Sequence, residues 1–441
     1  MLDDARQVRI RCTRVDGSAD DYDELVAHLA TCHTVLIGEA SHGTHEFYLE
    51  RARLTRRLIV EHGFDAVAVE GDWPDSWRIN EFVTGRGVDE DAVDSLGGFE
   101  RFPSWMWRNA DVLDFVGWLR DHNQSQPRDR HVGFYGLDLY SLHSSMQCVI
   151  EFLEEADPAA AERARARYEC LDGHLPDPQE YAMQVALGLR PSCERDVLAQ
   201  LLELRQSAAA MSAQGKLAPD ALFFARQNAV VVRNAERYYR TMFAGGVDSW
   251  NLRDRHMLET LAALQTHLRQ QRRRAPRIVV WAHNSHVGDA RATEMGRRGQ
   301  WTLGQLVRQE QAERCALVGM TTYHGTVSAA RDWGAPVERR HVLPALPGSW
   351  EELFHRVAED RFVLLPDAMH RIEMLQRPLL ERAIGVIYRP ETERESHYFH
   401  ATLARQFDAL IHIDETRAVE PLERIAPMPT DELAETFPYE T

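Results

Sequence analysis

Polar residues of catalytic type follow four of the strands that the sequence predicts. The four strand ends carry Gly38-Glu39-Ala40-Ser41-His42-Gly43, Glu70, Asp138 and His283-Asn284-Ser285-His286. In open parallel sheets, ligands bind beyond the carboxyl ends of the strands. Any one such residue could equally be a turn residue or a helix cap. Because Glu, His and Asp recur at separate strand ends, the sequence predicts a single cleft that Glu39, His42, Glu70, His283 and His286 face.

Arg51 adds an independent indication of a buried charged site. It falls on the same helical stripe as Phe47, Leu54 and Leu58, in a helix predicted from about His45 to Val60. A buried guanidinium needs a carboxylate partner, because an unpaired buried charge is very costly. Glu39 and Glu70 are the nearest candidates. The alternative is that the long Arg51 side chain reaches past the stripe to water.

Three hydrolytic schemes could use these residues. A serine nucleophile elbow requires G-x-S-x-G, but Ser41 stands one residue too far from Gly38 and is interpreted as a helix N-cap. A zinc hydrolase usually carries a motif such as HExxH, which is absent, although the same Glu and His residues could hold a divalent metal. The residue set favours the third scheme, in which a histidine general base activates water and carboxylates orient it.

The motifs also resemble those of a known family. Gly38-Glu39-Ala40-Ser41-His42-Gly43 looks like the GE-x-[ST]-HG signature of the erythromycin esterase family, and Glu70 and the HNxH run from His283 to His286 match in order and context. Asn251-Leu252-Arg253-Asp254 with Met257, and the tail from Ser396 to Thr416, resemble further family segments. The resemblance therefore covers nearly the whole chain.

This resemblance implies a water-based ester hydrolysis that opens macrolide lactones in the members that confer antibiotic resistance. By position, His42 would be the general base, and Glu39 and Glu70 would orient it and the water. Arg51, His283 and His286 would position the substrate and stabilise the oxyanion. The resemblance implies no required cofactor. Because resistance members differ in metal dependence, a divalent metal at the Glu/His cluster remains the alternative.

The elements that must position these residues are short β-branched runs that alternate with helical stretches. They predict an α/β fold with three layers, in which a mostly parallel sheet is flanked by helices. The predicted strands are apolar on both faces, as parallel strands covered by helices should be. They are Thr34–Ile37, Ala66–Val69, Val132–Tyr135, Ile278–Trp281, Ala316–Met320, Phe362–Leu365, Ile384–Tyr388 and Ala409–Ile413.

A long stretch between two of these strands has helical spacing and no predicted strand. It runs from about Ser141 to Arg269, and its clearest apolar stripe includes Ala225, Ala229 and Val232. We predict a large all-helical insertion, which divides the chain into the first part of an α/β core over residues 1–140, the insertion over 141–269 and the second part of the core over 270–441.

The wall of the substrate pocket is expected to come from the insertion and from aromatic residues. Tryptophans could line an apolar ligand site, or they could simply pack the core. The candidate substrate-binding residues are Trp73, Trp77, Trp105, Trp107, Asp138 and His397.

Composition excludes several classes of partner. The net charge of -17 repels phosphate backbones, so nucleic acid is not an expected partner. The longest apolar runs fall far below the roughly 20 residues of a membrane span, and the first 17 residues lack an apolar stretch. These features, and six scattered cysteines without a CxxC pair, predict a cytoplasmic protein with reduced thiols. The family resemblance implies a bacterial protein.

The expected partner is a small-molecule ester or lactone. Two other functions use the same residues: a metal-dependent hydrolase of another ester or an amide, and a binding module that retains the fold without turnover. No feature of the sequence indicates an oligomeric state.

Overall fold

The fold is described by a computed structural model that covers residues 2–172, 178–213, 218–242 and 247–422. Within these residues the strands are β1 (Thr13–Arg14), β2 (Thr34–Ile37), β3 (Ala66–Asp72), β4 (Gly133–Asp138), β5 (Ile278–Trp281), β6 (Cys315–Ala329), β7 (Glu338–Val342), β8 (Arg361–Leu364), β9 (Leu379–Arg382), β10 (Tyr398–Ala401) and β11 (Ala409–Thr416).

The helices of the same residues lie between and around these strands. The α-helices are α1 (Leu2–Arg11), α2 (Asp23–Leu29), α3 (His45–His62), α4 (Trp73–Thr84), α5 (Ala92–Ser95), α6 (Ala110–Gln124), α7 (Leu142–Ala156), α8 (Pro158–Asp172), α9 (Pro178–Ala186), α10 (Glu194–Ala213), α11 (Pro219–Met242), α12 (Asp248–Arg272), α13 (Asn284–Val287), α14 (Glu294–Arg297), α15 (Leu303–Gln311), α16 (Trp350–His355), α17 (Pro366–Arg371), α18 (Glu393–Ser396) and α19 (Leu403–Gln406). Short 3-10 helices are formed by Ser104–Met106, Arg128–Arg130, Ala290–Ala292, Ala312–Arg314, Glu373–Gln376 and Pro390–Thr392.

Nine of the described strands form one sheet in the order β1-β8-β11-β6-β2-β5-β3-β4, with β7 paired to β6 beside this path. The pairings from β11 through β6, β2, β5 and β3 to β4 are all parallel. Three neighbouring strands are in register just before their polar residues, because Trp281 pairs with both Ile37 and Val69. The residues that follow these strands therefore emerge side by side at one edge of the sheet.

Helices cover both faces of the sheet. Successive side chains of a strand point to opposite faces, and β2 shows this directly. Val35 and Ile37 pack into a core that includes residues of α3 and α6. Leu36 packs into a second core, which includes residues of α12 and α15. The fold therefore has three layers, with the sheet in the middle and one core between the sheet and the helices on each face.

Most predicted strands are present, but two predictions about them are wrong. Phe362–Leu365 corresponds to β8, which pairs antiparallel with β11, because burial on both faces gives an apolar run whatever the strand direction. Ile384–Tyr388 is not a strand and makes only isolated bridges. The Ile384 N–H donates to the Ala40 carbonyl at 2.8 Å and its carbonyl accepts from the His42 N–H at 3.1 Å. This segment therefore supports the loop after β2 instead of extending the sheet.

The stretch predicted to be helical contains the six helices α7 to α12, and no strand is found in its described residues. These helices enclose a core of their own, in which Ala225, Ala229 and Val232 of α11 are buried as the spacing predicted. The last helix, α12, also packs on the sheet through residues such as Leu261. The division into three segments stays a prediction.

The prediction of six free thiols is wrong for one pair of cysteines. Cys170 of α8 and Cys193, which precedes α10, form a disulfide with their Cα atoms 6.0 Å apart. The CxxC pattern does not reveal this pair, because the two cysteines are 23 residues apart in sequence. The free cysteines are Cys12, Cys32, Cys148 and Cys315. In the described part of the chain, no helix combines the length and the apolar character that crossing a membrane requires.

A buried acid lies on β9, just before the segment that supports the loop. Glu381 is fully buried, and burial together with the neighbouring carboxylate of Glu351 raises the pKa of Glu381 to about 8. The Glu351 carboxylate is held beside this strand, because it accepts a hydrogen bond from the Arg382 N–H at 2.9 Å. The folded protein therefore binds a proton on Glu381 at a pH where the unfolded chain has released it.

This protonation makes stability depend on pH in a defined direction. Because the folded state holds one more proton, the free energy of unfolding should fall by about 1.4 kcal/mol per pH unit between about pH 5 and about pH 8. Glu381→Gln, which mimics the neutral acid, should remove this slope and be more stable than the wild type near pH 8. Urea unfolding of both proteins at several pH values measures the difference, and identical slopes would contradict the prediction.

Candidate active site

The loop after β2 is shaped by two glycines. A side chain at Gly38 would place its Cβ 2.1 Å from Asn284 Oδ1, so the close approach of the HNxH run requires glycine there. Gly43 has a φ of 70°, which favours glycine. Helix α3 then begins at His45 with Thr44 as its N-cap. The prediction that Ser41 caps this helix is wrong, since its hydroxyl pairs instead with the Thr44 hydroxyl.

Glu39 fixes the orientation of His42. The Nδ1 of His42 lies 2.8 Å from Glu39 Oε1, and both side chains are buried. An ionised carboxylate can only accept a hydrogen bond, so the proton of the neutral ring is on Nδ1. The lone pair of His42 is therefore on Nε2, which lies 3.9 Å from Glu70 Oε1.

Arg51 lies on the other side of Glu39. Its Nη2 donates to Glu39 Oε2 at 2.5 Å, and the side chain is fully buried. The guanidinium carbon is 4.5 Å from the centre of the Tyr48 ring and 5.4 Å from that of Trp281. The predicted ion pair is confirmed, and the alternative in which Arg51 reaches water is wrong.

Glu70 is the centre of the charged cluster. Its Oε1 accepts a hydrogen bond from Arg253 Nη2 at 2.7 Å, and its Oε2 accepts one from the His283 N–H at 2.7 Å. Burial raises the pKa of the carboxyl, but the positive charges of His286 and Arg253 and the hydrogen bond from the His283 N–H outweigh burial and hold the pKa below its ordinary value. Glu70 is therefore ionised at neutral pH.

His283 is a neutral hydrogen-bond donor beside His42. Its Nδ1 accepts from the Ser285 N–H at 3.2 Å, which leaves the proton on Nε2. Burial and the neighbouring His42 lower the pKa of His283 well below its ordinary value. The two rings have their centres 4.8 Å apart. In the described part of the chain, Nε2 of His283 has no hydrogen-bond partner.

His286 lies between two carboxylates. Its Nδ1 is 2.9 Å from Asp254 Oδ2, and its Nε2 is 3.5 Å from Glu70 Oε1. Burial lowers the pKa of His286, but these two carboxylates raise it to about 9. Arg253 Nη1 also lies 2.9 Å from Nε2 and would favour the neutral ring. Because two carboxylates face the ring against one guanidinium, the pKa of His286 stays above its ordinary value.

Arg253 and Asp254 are the site residues that the sequence analysis missed as functional side chains. Arg253 donates to Glu70 and, through Nη2, to Asp138 Oδ2 at 2.7 Å. It therefore ties the end of β3 to the end of β4, where Asp138 stands. Helix α12 carries both missed residues, so the helical region contributes directly to the charged cluster at the sheet edge.

A cleft opens beside this cluster. Its polar wall includes His42, Glu70, Asp138 and Arg253. Its apolar wall includes the aromatic residues Phe99, Phe102, Trp107, Tyr140 and Trp333. Glu39, His283 and His286 lie behind this surface, where Glu39 contacts His42 and the two histidines contact Glu70. Arg51 lies behind Glu39 and contacts that carboxylate. The structure thus brings the six predicted catalytic residues together.

The structure separates the predicted substrate-binding residues. Trp107 and Asp138 line the cleft, and the Trp107 indole also donates to the Glu70 carbonyl at 3.2 Å. Trp73 and Trp77 instead pack in the core around Tyr135.

Trp105 and His397 also lie in the interior. Trp105 is buried against Gly43 and belongs to the core beneath the loop. The buried His397 ring packs near Tyr388 and accepts from the Arg389 N–H at 3.2 Å. A large apolar side chain can either line a pocket or pack in a core, so the spacing of tryptophans in the sequence does not show which of the two each one does.

The carboxylates of the cluster are occupied by cationic partners. Glu39 pairs with Arg51, and Glu70 pairs with Arg253. Across the described ranges, no group of three or more His, Cys, Asp and Glu side chains has an arrangement that could hold a metal ion. The guanidinium groups provide the positive charge that a cation would otherwise supply next to these carboxylates.

Comparison with known proteins gives one family. The family model described as erythromycin esterase matches residues 59–416. This range contains Glu70, His283 and His286, while Glu39, His42 and Arg51 precede it. An erythromycin esterase type II of Escherichia coli is 23% identical over 340 residues, which are 74% of this chain and 77% of that protein.

Solved structures share the fold at low identity. A protein from Bacillus cereus superposes with a TM-score of 0.75 at 17% identity and covers 96% of this chain and 99% of its own. A succinoglycan biosynthesis protein gives a TM-score of 0.74 at 17% identity, with coverage of 95% and 98%. A mutant of the erythromycin esterase EreC in its open conformation gives 0.66 at 16% identity, with coverage of 94% and 99%.

Proposed function

The chain belongs to the erythromycin esterase family, and we propose that it hydrolyses a carboxylic ester or a lactone with a water molecule that His42 activates. One observation carries the mechanism. Glu39 holds the proton on Nδ1 of His42, so the basic Nε2 lies on the cleft side, 3.9 Å from Glu70 Oε1. The family relation supports ester hydrolysis as the reaction.

The gap between His42 and Glu70 suits a bridging water. A separation of 3.9 Å is too long for a direct hydrogen bond, and a water molecule at about 2.8 Å from both atoms would bridge it. The ionised Glu70 accepts one proton of this water and orients its lone pair toward the cleft. His42 Nε2 accepts the other proton as the oxygen attacks the ester carbonyl.

The proposed proton transfers balance over the reaction. Attack forms a tetrahedral intermediate, whose oxyanion would be stabilised by the Arg253 guanidinium, which lines the cleft. The imidazolium of His42, stabilised by Glu39, then returns its proton to the leaving alkoxide. The products are a carboxylic acid and an alcohol, which remain one molecule when the substrate is a lactone. No metal takes part in these steps.

The cleft has an apolar wall that suits a largely apolar substrate. Aromatic side chains such as Trp107 and Trp333 form part of its wall. We therefore propose macrolide lactones as one substrate class, as the name of the Escherichia coli relative indicates for that protein.

Incubation with macrolides and simple esters in ¹⁸O-labelled water tests this proposal. A lactone should give a product that is heavier than the substrate by one labelled water, and a simple ester should give a labelled carboxylic acid and an unlabelled alcohol. The rate should be unchanged after dialysis against EDTA, since no metal is used. Loss of activity that returns with a divalent metal would contradict the mechanism. Stoichiometric binding of these ligands without turnover would contradict the enzymatic function.

A further inference from the structure

We propose that Asp254 is a positioning residue that holds the proton of His286 on Nδ1 and thereby directs Nε2 of that ring toward Glu70. Its kinetic consequence rests on the proposed function, whereas its effect on the His286 ring does not. Asp254 lies outside the set of Glu39, His42, Glu70, His283 and His286 that the strand ends supply. It comes from α12, at the end of the helical region.

The contact between the two side chains is close and buried. Nδ1 of His286 lies 2.9 Å from Oδ2 and 3.0 Å from Oδ1 of Asp254. The Leu303 N–H donates to Oδ1 at 2.6 Å and fixes the carboxylate. Asp254 is 0% exposed and His286 is 1% exposed. Because a carboxylate accepts and does not donate, the ring can satisfy it only with a proton on Nδ1.

The stacked Trp250 ring fixes the plane of the His286 ring but does not fix its tautomer. The tautomer is therefore decided by polar contacts such as the one between Asp254 and Nδ1. The Trp250 ring stacks on His286, with centres 4.5 Å apart and planes 6° from parallel. This contact fixes the plane of the ring without distinguishing its two nitrogens. Trp250, Arg253 and Asp254 fall within one turn of α12, at the spacings of three and four that share a helix face.

The charges around His286 oppose one another. Burial and Arg253 disfavour the imidazolium, while Asp254 and Glu70 favour it. Burial also raises the pKa of the Asp254 carboxyl, and His286, Arg253 and the Leu303 N–H favour its ionised form. If Asp254 lost its charge, Glu70 would be the one carboxylate left to favour a positive charge on the buried His286 ring, and Arg253 would oppose it. The pKa of His286 would then fall, and Glu70 would lose a positive neighbour.

Asp254→Asn tests this role. It keeps the size of the side chain but presents an amide in place of the carboxylate. We expect kcat to fall about 10- to 100-fold, as for other carboxylates that orient a functional histidine, with a much smaller change in KM. In ¹⁵N-histidine spectra, we expect the pKa of His286 to fall by about 1 to 3. The His286 signal is identified by its absence in His286→Asn.

The matched control is another histidine–carboxylate pair, formed by His267 of α12 and Asp220 of α11. His267 Nε2 lies 2.8 Å from Asp220 Oδ1, about 20 Å along α12 from Asp254. Asp220→Asn should leave kcat and the His286 titration unchanged. Asp254→Glu, which keeps the charge, should retain a raised pKa of His286.

The spectroscopic result is independent of whether a substrate has been found. An unchanged pKa and an unchanged Nδ1 proton of His286 in Asp254→Asn would overturn the proposal, even if activity were lost. If Asp254→Asn does not fold, the tautomer of His286 in the wild-type protein provides the test. Protonated Nδ1 on His286 at neutral pH would support the proposal, and a ring with the proton only on Nε2 would overturn it. Failure to detect any hydrolysis would count against the proposed function and leave this test intact.

Discussion

His42→Asn is expected to lower kcat about 100- to 10,000-fold, the usual contribution of a general base. Asparagine retains a polar group of similar reach but cannot accept a proton from water at neutral pH. The side chain is held by Glu39 at 2.8 Å and is 4% exposed, so the change removes the base from a fixed position. Steady-state kinetics should show the loss in kcat, and urea unfolding should show that the variant remains folded.

Ser41→Ala is the matched control in the same loop. Its hydroxyl pairs with the Thr44 hydroxyl, so removal should cost about 1 kcal/mol of stability and leave kcat almost unchanged. Loss of turnover in Ser41→Ala, or a covalent acyl-enzyme trapped on Ser41, would show a serine nucleophile and contradict water activation by His42. A stability loss without a rate change in His42→Asn would instead mean that this histidine is structural.

The catalytic set could be predicted because it follows strand ends. Each of β2, β3, β4 and β5 contains a short apolar run, and Glu, His or Asp stands within a few residues of the end of that run. Parallel strands bring such ends to one edge. The register of Trp281 with Ile37 and Val69 could not be read from the sequence. The prediction of one cleft did not depend on this register, because the carboxyl ends of neighbouring parallel strands lie at the same edge even if the register shifts by a residue or two.

Asp254 was missed although the sequence contained a signal for it. Asp254 stands on the same face of α12 as the buried residues Met257, Leu258 and Leu261, at spacings of three, four and seven. The same pattern on α3 predicted that Arg51 is buried and paired with an opposite charge. On α12 it predicts that Asp254 is buried and paired with a cationic side chain.

Other features depend on long-range packing and had no local signal. Ile384–Tyr388 has the composition of a strand, but its backbone bonds to Ala40 and His42 instead. Trp73 and Trp107 are both large and apolar, yet Trp73 is in the core and Trp107 lines the cleft. Which surface covers a tryptophan depends on elements far away in the chain, such as Phe223 of α11 against Trp73.

The largest expected effect on stability comes from the Glu39–Arg51 pair. Glu39→Gln would leave the Arg51 guanidinium fully buried without its carboxylate, beside Tyr48 and Trp281. Breaking a buried pair from one side typically costs about 3 to 5 kcal/mol, because desolvation of the remaining charge is no longer compensated. We expect a loss of this size in the free energy of unfolding, measured with urea.

Removing the second charge should restore much of that stability. In the double variant Glu39→Gln/Arg51→Met no unpaired charge stays in the core, and a buried ion pair replaced by neutral groups of similar volume is often close to neutral in stability. The double variant should therefore be more stable than Glu39→Gln alone, although the lost partner of His42 should keep it inactive.

The matched control is the Arg57–Glu61 pair on the same helix, which is partly exposed. Arg57→Met and Glu61→Gln should each change stability by less than about 1 kcal/mol, because water screens that pair. Their effects should also add with little coupling. If the effects of Glu39→Gln and Arg51→Met also simply add, the two buried side chains do not stabilise each other as charges. Their 2.5 Å contact would then reflect packing of the loop after β2 against α3, and the support that Arg51 gives to Glu39 and His42 would have to be steric.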